Sequence, residues 1–271
     1  MLAYHNDPSR KSKLVQSVAD HIAADRLMQC ATGGSREKGC TVACAHQSLL
    51  VEEIGLEKSW EKAYNHASLA ERMGIPEWIP RLVDTLYEGM NTEDSKQFSQ
   101  DWIAAIPVGA DTSKALPYML AASVREAGNA IRDQGASEVL RCCDDVLSLL
   151  LREIGGEEIS HAIWSASAAS TLSAARTARA DSAACAACAA RAARAARTAS
   201  AARAARADSA ACAARAARAD SAASAARAAR AARTAISASD TWAASAASNK
   251  RQAAALLEIL RNMPVKVNQQ P

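Results

Sequence analysis

A short segment near residue 40 carries the side chains best suited to chemistry. Cys40 and Cys44 lie four residues apart, and His46 follows two positions later. Cys30 and His21 precede this segment, on the other side of a glycine-rich stretch. Thiolate and imidazole are the ligands that zinc prefers. Three interpretations stay open, namely zinc binding, a reactive thiol and ordinary packing, and packing is the usual role of such cysteines.

Other pairs in the chain suit chemistry less well. His21 and Asp25 lie four residues apart, a spacing that suits acid–base work and, more often, a surface contact. Cys185 and Cys188 form a C-x-x-C pair that coincides with a repeat. The chain contains no phosphate-binding loop, no G-x-S-x-G and no H-E-x-x-H. We therefore expect no cofactor, with zinc as the one metal that the cysteine group would suit.

Charge is divided unevenly along the chain. Residues 1 to 175 hold 16 basic and 24 acidic side chains, a net charge of −8, whereas residues 176 to 233 hold 12 Arg and 3 Asp, a net charge of +9. Guanidinium groups bind carboxylates and phosphates through paired hydrogen bonds. The segregation predicts that the arginines contact the acidic half or an external anion. The candidate anion- or partner-binding residues are Arg191, Arg194, Arg197, Arg203, Arg206, Arg215, Arg218, Arg227, Arg230 and Arg233.

The arginines belong to an array with a three-residue period. From His161 to Ser248, every third residue is something other than alanine. Alanine and arginine favour the α-helix over polyproline II or a long 3₁₀ helix. Three residues advance about 300° around an α-helix, so a straight helix would carry arginine on all sides. We expect breaks that divide the array into packed helices, which lean on the N-terminal body or on a partner. A solvated single helix or a partly disordered tail is the alternative.

The rest of the chain shows helical periodicity. Apolar residues return at steps of three and four, and no segment alternates with period two. The pattern predicts an all-α fold with a multi-helix N-terminal body. We divide the chain into an acidic helical body at 1–156, alanine- and arginine-rich repeat helices at 157–249, and a C-terminal amphipathic helix with a polar tail at 250–271. The helices of the body are predicted at 10–30, 41–53, 59–73, 79–87, 92–106, 116–124 and 137–154.

No apolar run approaches the roughly 18 residues that a membrane span needs, and the first 13 residues are polar. These features predict a cytoplasmic protein with no membrane partner. Residues 176 to 233 contain no aromatic side chain, which makes nucleic acid a less favoured partner than a protein or another anion.

Four strings resemble a family of bacterial and phage-borne proteins of uncharacterised function. They are Lys38-Gly-Cys-Thr-Val-Ala-Cys44, Met73-Gly-Ile-Pro-Glu-Trp-Ile-Pro-Arg-Leu-Val-Asp84, Tyr87-Glu-Gly89 and Ala105-Ile-Pro-Val-Gly-Ala-Asp111. Members of this family often end in alanine-triplet tails, in which aromatic residues stand where this chain has arginine. The resemblance implies a shared architecture and a phage or mobile-element origin, and it implies no activity.

Three functions follow from these features as hypotheses. The first is a non-enzymatic binding protein that uses the arginine-rich array to hold a protein or an anionic ligand. The second is a metal- or thiol-dependent enzyme or sensor centred on Cys40, Cys44 and His46. The third is a structural repeat protein that binds ice or another surface, for which the threonines of the array are sparse.

Overall fold

The computed structural model describes residues 2–29, 38–132, 137–177, 192–193 and 241–265. Of the described residues 79% are helical and none lies in a strand, which confirms the all-α prediction. Two 3₁₀ turns cover Ala3–Asn6 and Thr112–Lys114. The described α-helices are α1 Pro8–Ala23, α2 Thr41–Ile54, α3 Leu56–Lys62, α4 His66–Met73, α5 Trp78–Glu88, α6 Thr92–Ala105, α7 Ala115–Ile131, α8 Ser137–Ile154, α9 His161–Thr177 and α10 Thr241–Arg261.

The chain divides into two compact units. The first consists of Met1–Ala115 and Ala243–Pro271, and it contains α1 to α6 and most of α10. The second consists of Leu116–Trp242, and it contains α8, α9 and nearly all of α7. The segment boundaries at residues 156 and 249 were placed by composition and stay predictions.

Helix α6 supplies large side chains to the core of the first unit. Trp102 is fully buried, and its ring N–H donates a hydrogen bond of 3.2 Å to the Thr41 hydroxyl at the start of α2. Tyr4 is also fully buried, and its hydroxyl donates to the Ile103 carbonyl at 2.6 Å. Both bonds satisfy polar atoms that would otherwise be costly to bury. They fix α6 against α2 and the N-terminal turn.

The single helix predicted at 59–73 is wrong, because the structure has two helices there. Helix α3 ends at Lys62, and α4 begins at His66. Asn65 stands between them in an extended conformation, and its side chain accepts a 3.0 Å hydrogen bond from the Ser68 amide. Asparagine stabilises a helix start in this way. The periodicity of apolar residues continues through the break, so the pattern did not reveal it.

Helix α1 is also shorter than predicted. The prediction covered residues 10 to 30, whereas α1 ends at Ala23 and Asp25 adopts a positive φ of 51°. The chain then turns back, so that the Met28 amide donates to the Gly39 carbonyl and the Gly39 amide donates to the Arg26 carbonyl, both at 3.0 Å. This turn brings the chain to the cysteine-containing start of α2.

The second unit is built on α7, α8 and α9. Helix α8 has the bounds that its apolar stripe predicted, Ser137–Ile154. Val146 and Leu150 on α8 and Trp164 on α9 are fully buried in one hydrophobic cluster, together with Ile131 at the end of α7. Burial of such side chains stabilises a fold by about 1.5–3 kcal/mol each. This cluster therefore stabilises the part of the unit that the structure describes.

The described ends of the alanine-rich array are α-helical. Helix α9 spans its first 17 residues, and α10 begins at Thr241 inside the array and continues to Arg261. The choice of α-helix over polyproline II is confirmed for these two ranges. The C-terminal helix begins at Thr241, nine residues before the predicted start at residue 250. None of the described helices is long and apolar enough to cross a membrane.

Candidate functional site

The segment that begins α2 is held against its neighbours by a close backbone approach at Gly39. A Cβ atom on Gly39 would lie 2.7 Å from the Cβ of Ala43 and 3.2 Å from the ring of Trp60. Real Cβ atoms do not come so close to one another, and so this position requires glycine. The close approach places Cys40 directly before α2, with its side chain buried.

Cys40 is a poor nucleophile in this position. Burial raises the pKa of its thiol, and the nearby negative charge of Asp84 raises it further. The amide of Ala43 opposes these effects without reversing them. A reactive cysteine needs the thiolate form and access to solvent. Cys40 has neither, because its side chain is completely buried.

Cys44 is buried one turn further along α2. Its thiol lies 3.5 Å from the Gly39 carbonyl oxygen and 3.9 Å from that of Arg26, and it donates to the turn that precedes the helix. Burial raises the pKa of Cys44 to about 12. The thiol is therefore protonated at neutral pH, and it ties α2 to the turn between α1 and α2.

Both ring nitrogens of His46 are engaged within the fold. Nδ1 lies 2.9 Å from the Ala63 carbonyl oxygen, and Nε2 lies 2.9 Å from the Ser68 hydroxyl. Because a carbonyl only accepts hydrogen bonds, Nδ1 carries the proton and Nε2 accepts from Ser68. Burial lowers the pKa of His46, which keeps the ring neutral. The imidazole thus bridges the junction between α3 and α4 and has no lone pair left for a metal.

His21 lies on the buried side of α1. Its Nε2 atom is 3.1 Å from the Gln47 side-chain oxygen, and its ring packs edge-on against Trp60 with 5.4 Å between ring centres. Burial lowers the pKa of His21. The predicted partner, Asp25, belongs to a different network, in which it pairs with Lys38 at 3.5 Å. The structure therefore does not bring His21 and Asp25 together as an acid–base pair.

No group of three or more His, Cys, Asp or Glu side chains within the described ranges is arranged to hold a metal ion. Cys40, Cys44, His46 and His21 all lie in the first unit, where each is used in packing or in a hydrogen bond to the protein. Cys30, the fifth residue of the predicted group, lies outside the described residues.

The structure shows a polar cluster around Asp84 that the sequence did not predict. The Asp84 oxygen Oδ2 lies 3.1 Å from the Tyr64 hydroxyl and 3.3 Å from Nε2 of His66. The side chains of Asp84 and His66 are only 15% and 10% exposed. Burial acts to raise the pKa of Asp84, but hydrogen bonds from His66, Cys40 and Tyr64 outweigh it, and the net effect lowers the pKa.

This Asp84 cluster joins four separate parts of the first unit. Cys40 precedes α2, Tyr64 lies between α3 and α4, His66 starts α4, and Asp84 lies on α5. An ionised carboxylate in such a setting forms stronger hydrogen bonds than a neutral group does. The Asp84 cluster can therefore hold these helices in place. Tyr64 is the member of the cluster that reaches the solvent, and its side chain is 42% exposed.

A groove of about 440 Å³ lies in the second unit, on α8 and α9. It is lined by Leu149 and Ile163, by several hydroxyl groups, and by Asp145 and Arg152. These two charged residues already form ion pairs, Asp145 with Arg141 and Arg152 with Glu157. The groove is large enough for a small molecule, and its charged groups are already neutralised by neighbours.

The ten candidate arginines lie outside the described residues. They are Arg191, Arg194, Arg197, Arg203, Arg206, Arg215, Arg218, Arg227, Arg230 and Arg233. Between residues 178 and 240, the structure describes Ala192 and Ala193 alone. Both are helical and buried, and both belong to the hydrophobic cluster of the second unit.

Comparison of the chain with protein-family models, with curated proteins and with solved structures finds no match. The resemblance to bacterial and phage-borne proteins, and the origin that it implies, therefore stay predictions.

Proposed function

We propose that this chain is a non-enzymatic, cytoplasmic binding protein that uses its arginine-rich array to hold an acidic protein surface or another anion. The observation that carries the proposal is the segregation of charge. Residues 176 to 233 carry a net charge of +9, and the preceding 175 residues carry −8. Such a basic segment raises the local concentration of anionic partners and speeds their association.

The environment of the cysteines and histidines supports binding rather than catalysis. Cys40, Cys44 and His46 are the residues on which the hypothesis of a thiol or metal centre depends, and the Cys40 thiol is fully buried. In the structure, the Cys44 thiol donates to backbone carbonyls, and both His46 nitrogens bond to the protein. Each of these groups stabilises a junction between helices. Their hydrogen bonds explain why the residues are present without requiring a reaction.

The all-α architecture also suits a binding role for the array. Both described ends of the array are α-helical, in α9 and α10. Alanine favours the helix and arginine keeps high helix propensity, so a repeat of the two can present charge without losing helical structure. The small alanine side chains allow close packing against a partner, while the guanidinium groups supply paired hydrogen bonds to carboxylates.

The test is to replace Arg191, Arg194 and Arg197 together by Gln. This change removes three positive charges and leaves helix propensity nearly unchanged. Binding to fluorescent poly-L-glutamate is measured by anisotropy over a series of salt concentrations. Exposed ion pairs contribute about 0.5 kcal/mol each, so three lost pairs weaken binding by about tenfold at low salt. The dependence on salt should decrease as well, because fewer ions are released on binding.

A matched control removes three positive charges from outside the array. The exposed residues Lys13, Lys114 and Arg141 suit this purpose when all three are changed to Gln. We expect the control protein to bind poly-L-glutamate as the wild type does, within about twofold. Equal weakening in both variants would show that only net charge matters, and no weakening in the array variant would refute the proposal. Double-stranded DNA in place of poly-L-glutamate tests the less favoured nucleic-acid partner.

A further inference from the structure

The two ends of the groove between α8 and α9 differ in chemistry. Cys142 of α8 lies 4.0 Å from Ser170 of α9, measured between sulfur and hydroxyl oxygen, and residues 155–160 alone connect the two helices. The helices therefore run in opposite directions. One end of the groove brings Asp145 close to the hydroxyl groups of α9, and the other end brings Arg152 close to Ile163.

The ion pairs at the groove leave one atom of each charged group unused. Asp145 accepts from Arg141 through Oδ2, and Arg152 donates to Glu157 through Nε and Nη2. Oδ1 of Asp145 and Nη1 of Arg152 take part in neither pair. Both side chains are about half exposed, at 57% for Asp145 and 45% for Arg152, and exposed pairs of this kind are weak. A ligand can therefore add to these pairs or replace them.

The Asp145 end of the groove is rich in hydrogen-bond acceptors. The hydroxyl oxygen of Ser167 is buried and has no hydrogen-bond partner among the described residues, although Ser167 lines the groove. The Thr171 hydroxyl donates to the Ser167 carbonyl at 2.7 Å, and its oxygen can still accept. A carboxylate with neighbouring hydroxyl oxygens suits an ammonium group, which has three hydrogens to donate. A buried hydroxyl without a partner is costly, and a ligand that bonds to it recovers that cost.

The geometry points to a binding site for a linear zwitterion, and we propose that its occupant is a peptide of about three residues. Its ammonium group binds at Asp145, and its carboxylate binds at Arg152. These two residues are seven positions apart on α8, which corresponds to about 10 Å along the helix axis. Three extended residues also span about 10 Å. Leu149 lies between the two charged residues and offers an apolar contact to a small side chain.

The size of the groove agrees with such a ligand. Its volume of about 440 Å³ falls in the usual range for small-molecule sites, which is about 300–1,000 Å³. This inference goes beyond the proposed function, because the site belongs to α8 and α9 and its ligand is a zwitterion rather than an anion. Binding of poly-L-glutamate tests the array and binding of a short peptide tests the groove, so that either proposal can fail alone.

The first experiment titrates trialanine into the full-length protein and measures heat by isothermal calorimetry. At the efficiency typical of small ligands, we expect a Kd of about 0.3 mM. N-acetyl trialanine and trialanine amide should each bind about fivefold more weakly, because each lacks one charged end. An absence of binding at about 10 mM trialanine, or equal binding of the blocked peptides, would overturn the proposal.

An aminoalkanoate separates the peptide from other linear zwitterions. In 8-aminooctanoate the charged groups are also about 10 Å apart, but no peptide group is available to bond to Ser167. We expect it to bind about threefold more weakly than trialanine, because one hydrogen bond is lost. Equal or tighter binding of 8-aminooctanoate would contradict the assignment of a peptide.

Variants of the two charged residues assign each end of the ligand. In Arg152→Gln, trialanine and its amide should bind equally, because the partner of the carboxylate is gone. In Asp145→Asn, trialanine and its N-acetyl form should bind equally for the corresponding reason. Such non-additive effects identify a direct contact, which a change in folding alone does not produce. A variant that weakens the free and the blocked peptide by the same factor would refute the assigned contact.

Arg141→Gln is the matched control for Arg152→Gln, because it removes the same charge from α8 at a position that pairs with Asp145 through Oδ2. We expect binding of trialanine to stay unchanged or to become tighter, since a competitor for Asp145 is removed. Weakening as large as that in Arg152→Gln would mean that net charge alone decides binding, and it would overturn the proposed site.

Ser167→Ala separates a binding role from a structural one. Because the Ser167 hydroxyl has no partner among the described residues, its loss should leave the thermal midpoint equal or higher, while trialanine binds about fivefold more weakly. Ser165→Ala on the same helix is the control, since the Ser165 hydroxyl lies 3.5 Å from the His161 ring, and its affinity for trialanine should match the wild type within about twofold. Unchanged affinity in Ser167→Ala, or an equal loss in both variants, would contradict the proposal.

Discussion

Replacing Asp84 by Asn tests the role of the buried carboxylate in the first unit. The carboxylate accepts hydrogen bonds from Tyr64 at 3.1 Å and from His66 at 3.3 Å. A hydrogen bond to a charged group contributes about 1 kcal/mol more than one to a neutral group. The Asp84→Asn change keeps the size of the side chain and removes its charge. We therefore expect a loss of about 2 kcal/mol in the free energy of unfolding at pH 7.

The loss should depend on pH in a defined direction. Asp84 has a lowered pKa in the folded protein, below the ordinary value of 3.8. Its stabilising contribution is therefore fully present above about pH 4 and is lost as the pH falls through the lowered pKa. The wild type and Asp84→Asn should differ most near neutral pH and converge in strong acid.

The assay is urea unfolding followed by tryptophan fluorescence and far-ultraviolet circular dichroism. With a dependence of about 1–3 kcal/mol per molar urea, the expected loss lowers the midpoint by about 1 M. Asp145→Asn is the control, because Asp145 is 57% exposed and its pair with Arg141 contributes at most about 0.5 kcal/mol. Equal midpoints for wild type and Asp84→Asn at pH 7, or a difference that is as large at pH 2 as at pH 7, would refute the reasoning.

Two further predictions concern packing and thiol chemistry. Gly39→Ala should destabilise the fold by about 1–3 kcal/mol in thermal unfolding, because its Cβ would overlap Ala43, whereas Gly128→Ala in α7 has room for a Cβ and should stabilise by up to about 1 kcal/mol. A stabilised Gly39→Ala protein would contradict the close approach. Cys40 and Cys44 should resist iodoacetamide at pH 8 in the native protein and react after denaturation, because burial raises both thiol pKa values, that of Cys44 to about 12. Peptide mass spectrometry checks this, and rapid native labelling of either cysteine would reopen the reactive-thiol hypothesis.

Local sequence signals predicted the helices well where one amphipathic stripe runs from end to end. Helix α8 shows this, since its apolar residues and its bounds at Ser137 and Ile154 agree with the prediction. The pattern failed between α3 and α4, where the Asn65 cap interrupts a periodicity that continues on both sides. A cap decides a helix boundary through one side chain and one amide, and residue spacing does not record that bond.

The candidate site was predicted only in part. The sequence singled out Cys40, Cys44 and His46 by residue type, and the structure places all three at the start of α2, where each contacts different neighbours. Their roles could not be predicted, because they depend on partners supplied by other elements. Asp84 had no signal of its own, since its partners Tyr64 and His66 lie 20 and 18 positions away in the chain.

The helical class of the protein, the three-residue period of its array and the separation of acidic from basic charge can all be recognised from the residue order. These are properties of composition and of residue order along one chain, and helix propensity acts locally. Tertiary structure alone decided that the thiols and imidazoles are locked in hydrogen bonds, that Asp84 stays ionised in a nearly buried cluster, and that Ala192 and Ala193 pack into the second unit. Burial and hydrogen-bond partners depend on which distant residues are packed together, and they set whether a polar group is reactive, charged or structural.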